Sequence, residues 1–160
     1  MNIHGMVSKD VLPDKSQSGS FRDRQVFVGR RVFNGTVFKS EVVYMPPKTE
    51  DVPHLVKELI TWLNLDKTWE TNPVLLAGIA HYKIARIHPF IDGNGRTARL
   101  LAVLILYLSG FDHRRLFAFD DFYDRDRPAY YSALKTAQEN NNTITKWLEY
   151  FTTGVAYSVN

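Results

Sequence analysis

Apolar residues follow two different spacings along this chain. Residues 25 to 45, QVFVGRRVFNGTVFKSEVVYM, are rich in β-branched and aromatic residues, with Asn34-Gly35 near the middle. That dipeptide supplies the positive φ angles of a tight hairpin turn, so the stretch predicts a two-stranded hairpin, its register left open, ended by Pro46-Pro47. Beyond the prolines the spacing lengthens to three and four residues. Asp51 and Pro53 signal a helix start, and Leu55, Leu59, Trp62 and Leu63 form its apolar stripe. Asn72 and Pro73 are a cap and a first-turn proline for a second helix, lined on one side by Leu76, Ile79, Ala80, Ile84 and Ile87. Pro89 disfavours a helical His88, so this helix is expected to stop there. A third is expected from Asn94 or Gly95 to Ser109, with Gly110 just past its end. It is apolar nearly all round after Arg99, which marks it as the central buried helix. Asp126 and Pro128 open a fourth, with Tyr131, Leu134 and Gln138 on one side. Thr143 opens a fifth, with Ile144, Trp147, Leu148, Phe151 and Val155 inward. The fold class that results is mainly all-α, a helical bundle around a central buried helix with one β-hairpin.

Composition narrows this little. The 160 residues suit one domain over 1–160, with an ordinary 44% hydrophobic and 23% charged residues. A formal charge of +3 suits a phosphate-bearing ligand, but no clustered basic stripe points to direct nucleic-acid binding. Cysteine is absent, which excludes disulfides and thiolate metal sites. The longest apolar run, Leu100 to Leu108, is about half of the roughly 20 residues a bilayer span needs. The first ten residues do not read as a secretory signal. The expectation is a soluble, cytoplasmic protein with no membrane partner. Residues 13 to 20 read as a loop, and there is no internal repeat.

The segment from 88 to 99, HPFIDGNGRTAR, changes the picture. It joins two helices with loop formers and charges. Gly93 and Gly95 permit backbone angles that let successive N–H groups converge into an anion-binding nest, and the N-terminus of the next helix adds its own. Arg96 and Arg99, three apart, reach one side of that helix as planar, bidentate phosphate clamps. Asp92 beside phosphates calls for a cation, and Mg²⁺ binds through one carboxylate plus phosphate oxygens. His88 titrates near neutrality and is placed to take a proton from an attacking hydroxyl, while Phe90 anchors the loop in the core. A base, a metal ligand and two charge clamps suggest phosphoryl or nucleotidyl transfer. No Gly-Lys-Ser/Thr follows the glycines, and the motif joins helices, so neither a Walker loop nor a dinucleotide fingerprint fits.

These twelve residues resemble the signature of Fic-domain proteins, HPFxDGNGRxxR, at every fixed position. The preceding hairpin, the helix leading into the histidine and the Tyr-Tyr helix near the C-terminus extend the resemblance over nearly the whole chain. The resemblance implies a Fic fold and a protein adenylyltransferase: AMP moves from ATP to a Ser, Thr or Tyr hydroxyl of a target protein, and pyrophosphate leaves. It assigns His88 as general base and Asp92 as the Mg²⁺ ligand. It gives Gly93, Asn94 and Gly95 to the phosphate cradle, Arg96 to the outer phosphates and Arg99 to the γ-phosphate. Tyr131 (or Tyr130), Leu134 and Gln138 fall where the family lines its adenine pocket; the bland reading of that spacing is a packed helix face. The hairpin, about 25–45, resembles the family's flap, which docks a target segment by strand-like contacts; as plainly, it is an edge hairpin over the core. The active-site loop spans 88–96.

Many Fic proteins carry an inhibitory Ser/Thr-x-x-x-Glu-Gly/Asn motif whose glutamate pairs with the second motif arginine. Here only Glu139 precedes Gly or Asn, and Lys135 stands where Ser or Thr is required. The resemblance therefore implies an inhibitory helix upstream, or a separate small inhibitor such as an antitoxin. Two alternatives stay open: transfer of another phosphate-linked group (UMP, GMP or phosphocholine), and a non-catalytic nucleotide-binding or interaction module.

Overall fold

Two prolines bracket the helix that organises the molecule. In the computed structural model, which describes residues 3–33, 35–111, 118–139 and 143–159, helix α3 runs from Pro73 to Ile87. The Asn72 side chain accepts hydrogen bonds from the N–H groups of Val74 and Leu75, 3.0 and 3.4 Å away. At the other end His88 takes a left-handed conformation, φ 52° and ψ 56°, and Pro89 follows. The loop then crosses to α4 (Asn94–Leu108), which Ser109 caps.

The remaining elements wrap this pair. Helix α1 (Ile3–Ser8) packs on α4, and α2 (Val52–Leu63) on α3. Helices α5 (Ala118–Arg125), α6 (Arg127–Glu139) and α7 (Thr145–Val159) close the far side, with α7 touching α3, α5 and α6. The sequence pattern had no place for α1 or α5. Strands β1 (Val28–Phe33) and β2 (Phe38–Tyr44) form the expected antiparallel hairpin. Phe33 pairs with Phe38, so residues 34 to 37 connect the strands rather than a two-residue turn. Gly35 has φ of 92°, and Asn34 lies outside the described residues. A register shift after Val28, which pairs with Tyr44 while Gly29 pairs with Val42, bulges the end of β2.

The central helix is α3, not α4, which carries the longest unbroken apolar run. Helix α3 buries Leu76, Ala77, Gly78, Ala80, His81, Tyr82, Ile84, Ala85 and Ile87, leaving exposed only a stripe with Leu75, Lys83 and Arg86. Helix α4 buries one face, and its Leu104, Tyr107 and Leu108 are exposed. Small side chains explain the reversal. A Cβ at Gly78 would stand 2.8 Å from Leu148 and 3.1 Å from Phe151, so its absence lets α7 come close, and Trp147 donates its indole N–H to the Gly78 carbonyl at 2.8 Å. Close approach from several sides, not an unbroken apolar run, makes a helix central.

The main core gathers Leu76, Leu106, Tyr123, Tyr130, Trp147 and Phe151. A second, of Val52, Leu59, Ile84, Ile87 and Ala98, fixes α2 beneath the loop end of α3. On α6 the inward tyrosine is Tyr130, while Tyr131 is 51% exposed. Burying a phenol requires a partner for its hydroxyl, and Tyr130 has one in His81 Nε2 at 3.1 Å.

Candidate active site

The loop between α3 and α4 is held from inside by its own asparagine. Asn94 is buried; its Oδ1 accepts from the Phe90 N–H and its Nδ2 donates to the Phe90 carbonyl, both at 2.9 Å. Both side-chain groups are thus engaged, and what Asn94 offers a ligand is its backbone N–H. Phe90 is buried as well and stacks on His4, ring centroids 3.7 Å apart and planes within 3°. His4 lay outside every sequence signal. Its Nε2–H donates to the Asp92 carbonyl at 3.0 Å, and its Nδ1 accepts from the Gly19 N–H at 2.9 Å. Burial lowers its pKa first of all, with Arg96 acting the same way, which keeps the neutral ring these two bonds require.

Gly93 turns the chain into α4 with φ of 82° and caps the helix without a side-chain bond. The first N–H groups of α4 therefore have no carbonyl within the helix and carry its positive dipole end. Gly95 is different from the expectation: its φ is not positive. Its missing side chain matters as space, since a Cβ there would meet nothing within 4 Å.

Over this helix end opens a cleft of about 340 Å³, whose lining includes His88, Asp92, Gly95, Arg99, Tyr131 and Leu134. The bulged end of β2 supplies Val43 and Tyr44 to the opposite side. An adjoining hollow of about 390 Å³ shares Asp92, Gly95 and Arg99 and adds Arg96 and Arg127. The fold thus brings His88, Asp92, Gly93, Asn94, Gly95, Arg96 and Arg99 to these two hollows; Arg99 lines both, and Arg96 only the second. The side chain of Gln138 lies outside the described residues.

His88 Nδ1 lies 3.2 Å from the Ala85 carbonyl. A carbonyl only accepts, so Nδ1 carries the proton and Nε2 holds the lone pair. Burial lowers the His88 pKa, Arg22 lowers it further, and the Ala85 contact and Asp92 oppose them. Asp92 accepts at Oδ1 from the Gly93 N–H and pairs through Oδ2 with Arg96 at 3.3 Å. Arg96 also donates to the Val7 carbonyl of α1 at 3.3 Å. No group of three or more His, Cys, Asp or Glu suited to hold a metal occurs among the described residues. An accessible Asp92 carboxylate beside the free N–H end of α4 fits a cation that arrives with its phosphates, as Mg²⁺ does.

A sequence profile of the Fic/DOC family matches residues 1–106. The chain belongs to this family. Among curated Fic relatives, protein adenylyltransferase fic-1 of Caenorhabditis elegans is 42% identical over 61% of this chain and 17% of its own length. Protein adenylyltransferase Fic of Drosophila ananassae is 36% identical over 88% of this chain and 24% of its own. The chain thus spans a quarter or less of these relatives. Among solved structures, a Fic family protein from Desulfovibrio desulfuricans superposes with a TM-score of 0.73 at 26% identity, covering 98% of this chain and 43% of that one. A Fic domain containing signaling protein from Bacteroides thetaiotaomicron gives 0.61 at 26%, covering 98% and 59%. The mainly helical Fic fold with its hairpin is therefore shared with these structures. Among the described residues, no helix is long and apolar enough to cross a membrane.

Proposed function

We propose that this chain transfers AMP from ATP to a Ser, Thr or Tyr hydroxyl of a target protein, with release of pyrophosphate. One observation carries the reading: a histidine kept neutral, with its Nε2 lone pair available, shares a cleft with an unsatisfied helix N-terminus and an arginine. His88 Nε2 takes the hydroxyl proton as the oxygen forms its bond to the α-phosphorus. The bond from that phosphorus to the pyrophosphate oxygen breaks. The N–H groups at the start of α4, with Arg96 and Arg99, stabilise the negative charge on the phosphates. Asp92 would hold Mg²⁺, which would neutralise phosphate charge when bound with ATP. Tyr131 and Leu134, with Gln138 one turn on from Leu134, would receive the adenine.

The hairpin would dock the target segment along its strand, and an inhibitory helix, in cis or on a separate protein, would act at Arg99. The test is incubation of the chain with ATP, Mg²⁺ and cell lysate, followed by peptide mass spectrometry. An AMP adduct on a hydroxyl residue is expected. No adduct across several divalent metals, while a control transferase labels its own target, refutes the reading; adducts only with UTP or GTP would move it to another nucleotide.

A further inference from the structure

Arg22 precedes the hairpin in an undistinguished charged stretch, FRDRQ, and no sequence feature singled it out. Yet it is 3% exposed. Its Nε donates to the His88 carbonyl at 3.0 Å. One terminal nitrogen donates to Thr49 Oγ1 at 2.6 Å and to the Arg24 carbonyl at 3.2 Å; the other donates to the Pro47 carbonyl at 2.5 Å. Its backbone N–H donates to the Pro89 carbonyl at 2.9 Å. These partners are neutral oxygens drawn from four places: the turn carrying the general base, the segment before β1, the exit of β2, and the turn before α2. Burying a cation is costly unless its donors are met, and the flat guanidinium meets several directions at once as an ammonium cannot.

We propose that Arg22 is a positioning residue for this reaction: it fastens the left-handed His88 turn to the base of the hairpin, so that the base and the target-holding strand keep one fixed relation. The inference rests on the transferase reading and deepens it. The Pro47 and Thr49 contacts tie the hairpin's exit, and the His88 and Pro89 contacts tie the backbone on which the imidazole is mounted. Without Arg22 the turn would have to hold φ of 52° at a non-glycine residue against its ordinary preference, and hairpin and base would drift separately. A misplacement of about 1 Å costs on the order of 100-fold in rate.

The charged and titratable groups around His88 are Arg22 from the segment before β1, Asp92 from the loop, Tyr44 from β2, Arg99 from α4 and Lys135 from α6. Replacing Arg22 alone leaves the others in place. Arg22→Lys retains the charge but loses the fork, and Arg22→Gln loses both. We expect kcat for AMP transfer to fall about 10- to 100-fold in both, with KM for ATP nearly unchanged, because the nucleotide rests on α4. The His88 imidazole, followed by NMR titration, is expected to move up in pH in Arg22→Gln, since a nearby positive charge no longer opposes protonation, and to stay near the wild-type value in Arg22→Lys. Folded variants with wild-type kcat and an unmoved His88 titration in Arg22→Gln overturn the proposal, as does a loss confined to KM for ATP. If neither variant folds, Thr49→Val removes one partner only; a fall of about threefold in kcat supports the assignment and a wild-type kcat overturns it. A wild-type chain that transfers no AMP fails the transferase reading, whereas the titration reads the Arg22–His88 linkage without any transfer.

Discussion

The loop at 88–96 and the hairpin at 28–44 face each other across one cleft and are built in opposite ways. The loop is short, turned inward and bonded at nearly every step: Asn94 to Phe90, His4 to Asp92, Arg22 to His88 and Pro89. The hairpin is tied at its base, where Gln25 donates to the Pro46 carbonyl at 3.1 Å and Tyr44 donates to the Arg86 carbonyl at 2.9 Å. Toward the tip Phe33, Val37 and Phe38 are exposed, and the Phe33 and Phe38 rings lean on each other at 5.1 Å. A reacting group needs a position defined within a fraction of an ångström. A surface that accepts a peptide by backbone pairing needs an accessible edge and tolerates variation in side chains. Rigid chemistry beside adaptable contact is the arrangement expected if a common phosphate donor meets a variable acceptor.

The sharpest way to break this contrast is His88→Ala. Transfer is expected to fall by about 10³-fold or more, while ATP binding measured by calorimetry stays within about twofold, because the ring acts on a proton and not on the nucleotide. A comparable loss of ATP affinity would show that the histidine helps build the nest instead. Next in size is Asn94→Ala, which leaves the Phe90 N–H and carbonyl buried without their partners. A stability loss of about 2 to 6 kcal/mol in urea unfolding is expected, at about 1 to 3 kcal/mol for each stranded group.

A third measurement concerns the core under the loop. His81 is fully buried, and burial first, then Arg99, brings its pKa to about 3. Unfolded, it titrates near 6.5. Between these values the unfolded chain binds the extra proton, so stability rises with pH across the window. The contribution is complete above about pH 6.5 and is lost progressively as pH falls toward 3. From pH 7 to pH 5 this group is expected to remove about 2 kcal/mol. His4 and His88 are shifted the same way, so the His81 share is the part that disappears in His81→Gln when both proteins are unfolded at both pH values. The smallest effect belongs to the hairpin tip. Phe38 is 70% exposed, and Phe38→Ala is expected to change stability by less than about 0.5 kcal/mol. Any change in labelling is expected to differ between targets; an equal loss with every target, self-labelling included, would place Phe38 in the chemistry and erase the contrast.

Much of the site was legible because its geometry is local. Pro89 ends α3 behind His88, and Gly93 turns into α4, whose first two turns carry Arg96 and Arg99 to the hollow beside the loop; each step involves residues within a few positions of one another. The helices from α2 onward were legible from spacing and caps, with the exception of α5 (Ala118–Arg125). Short α1 was not, since six residues carry too little periodicity to distinguish a helix from a loop.

What the sequence by itself determined was a helical chain interrupted by a loop with the chemistry of phosphate transfer, because hydrophobic period, prolines and glycines act through bonds and short distances. What only the tertiary structure decided was which helix is central, which tyrosine turns inward, and which distant residues hold the loop. His4 meets the Asp92 carbonyl 88 residues away, and Arg22 meets the His88 carbonyl across 66. Their partners are backbone oxygens, which every residue possesses, so no pattern of side chains along the chain can point to them. Only the packing of α1 on α4, and of the hairpin's base against the end of α3, brings them within reach.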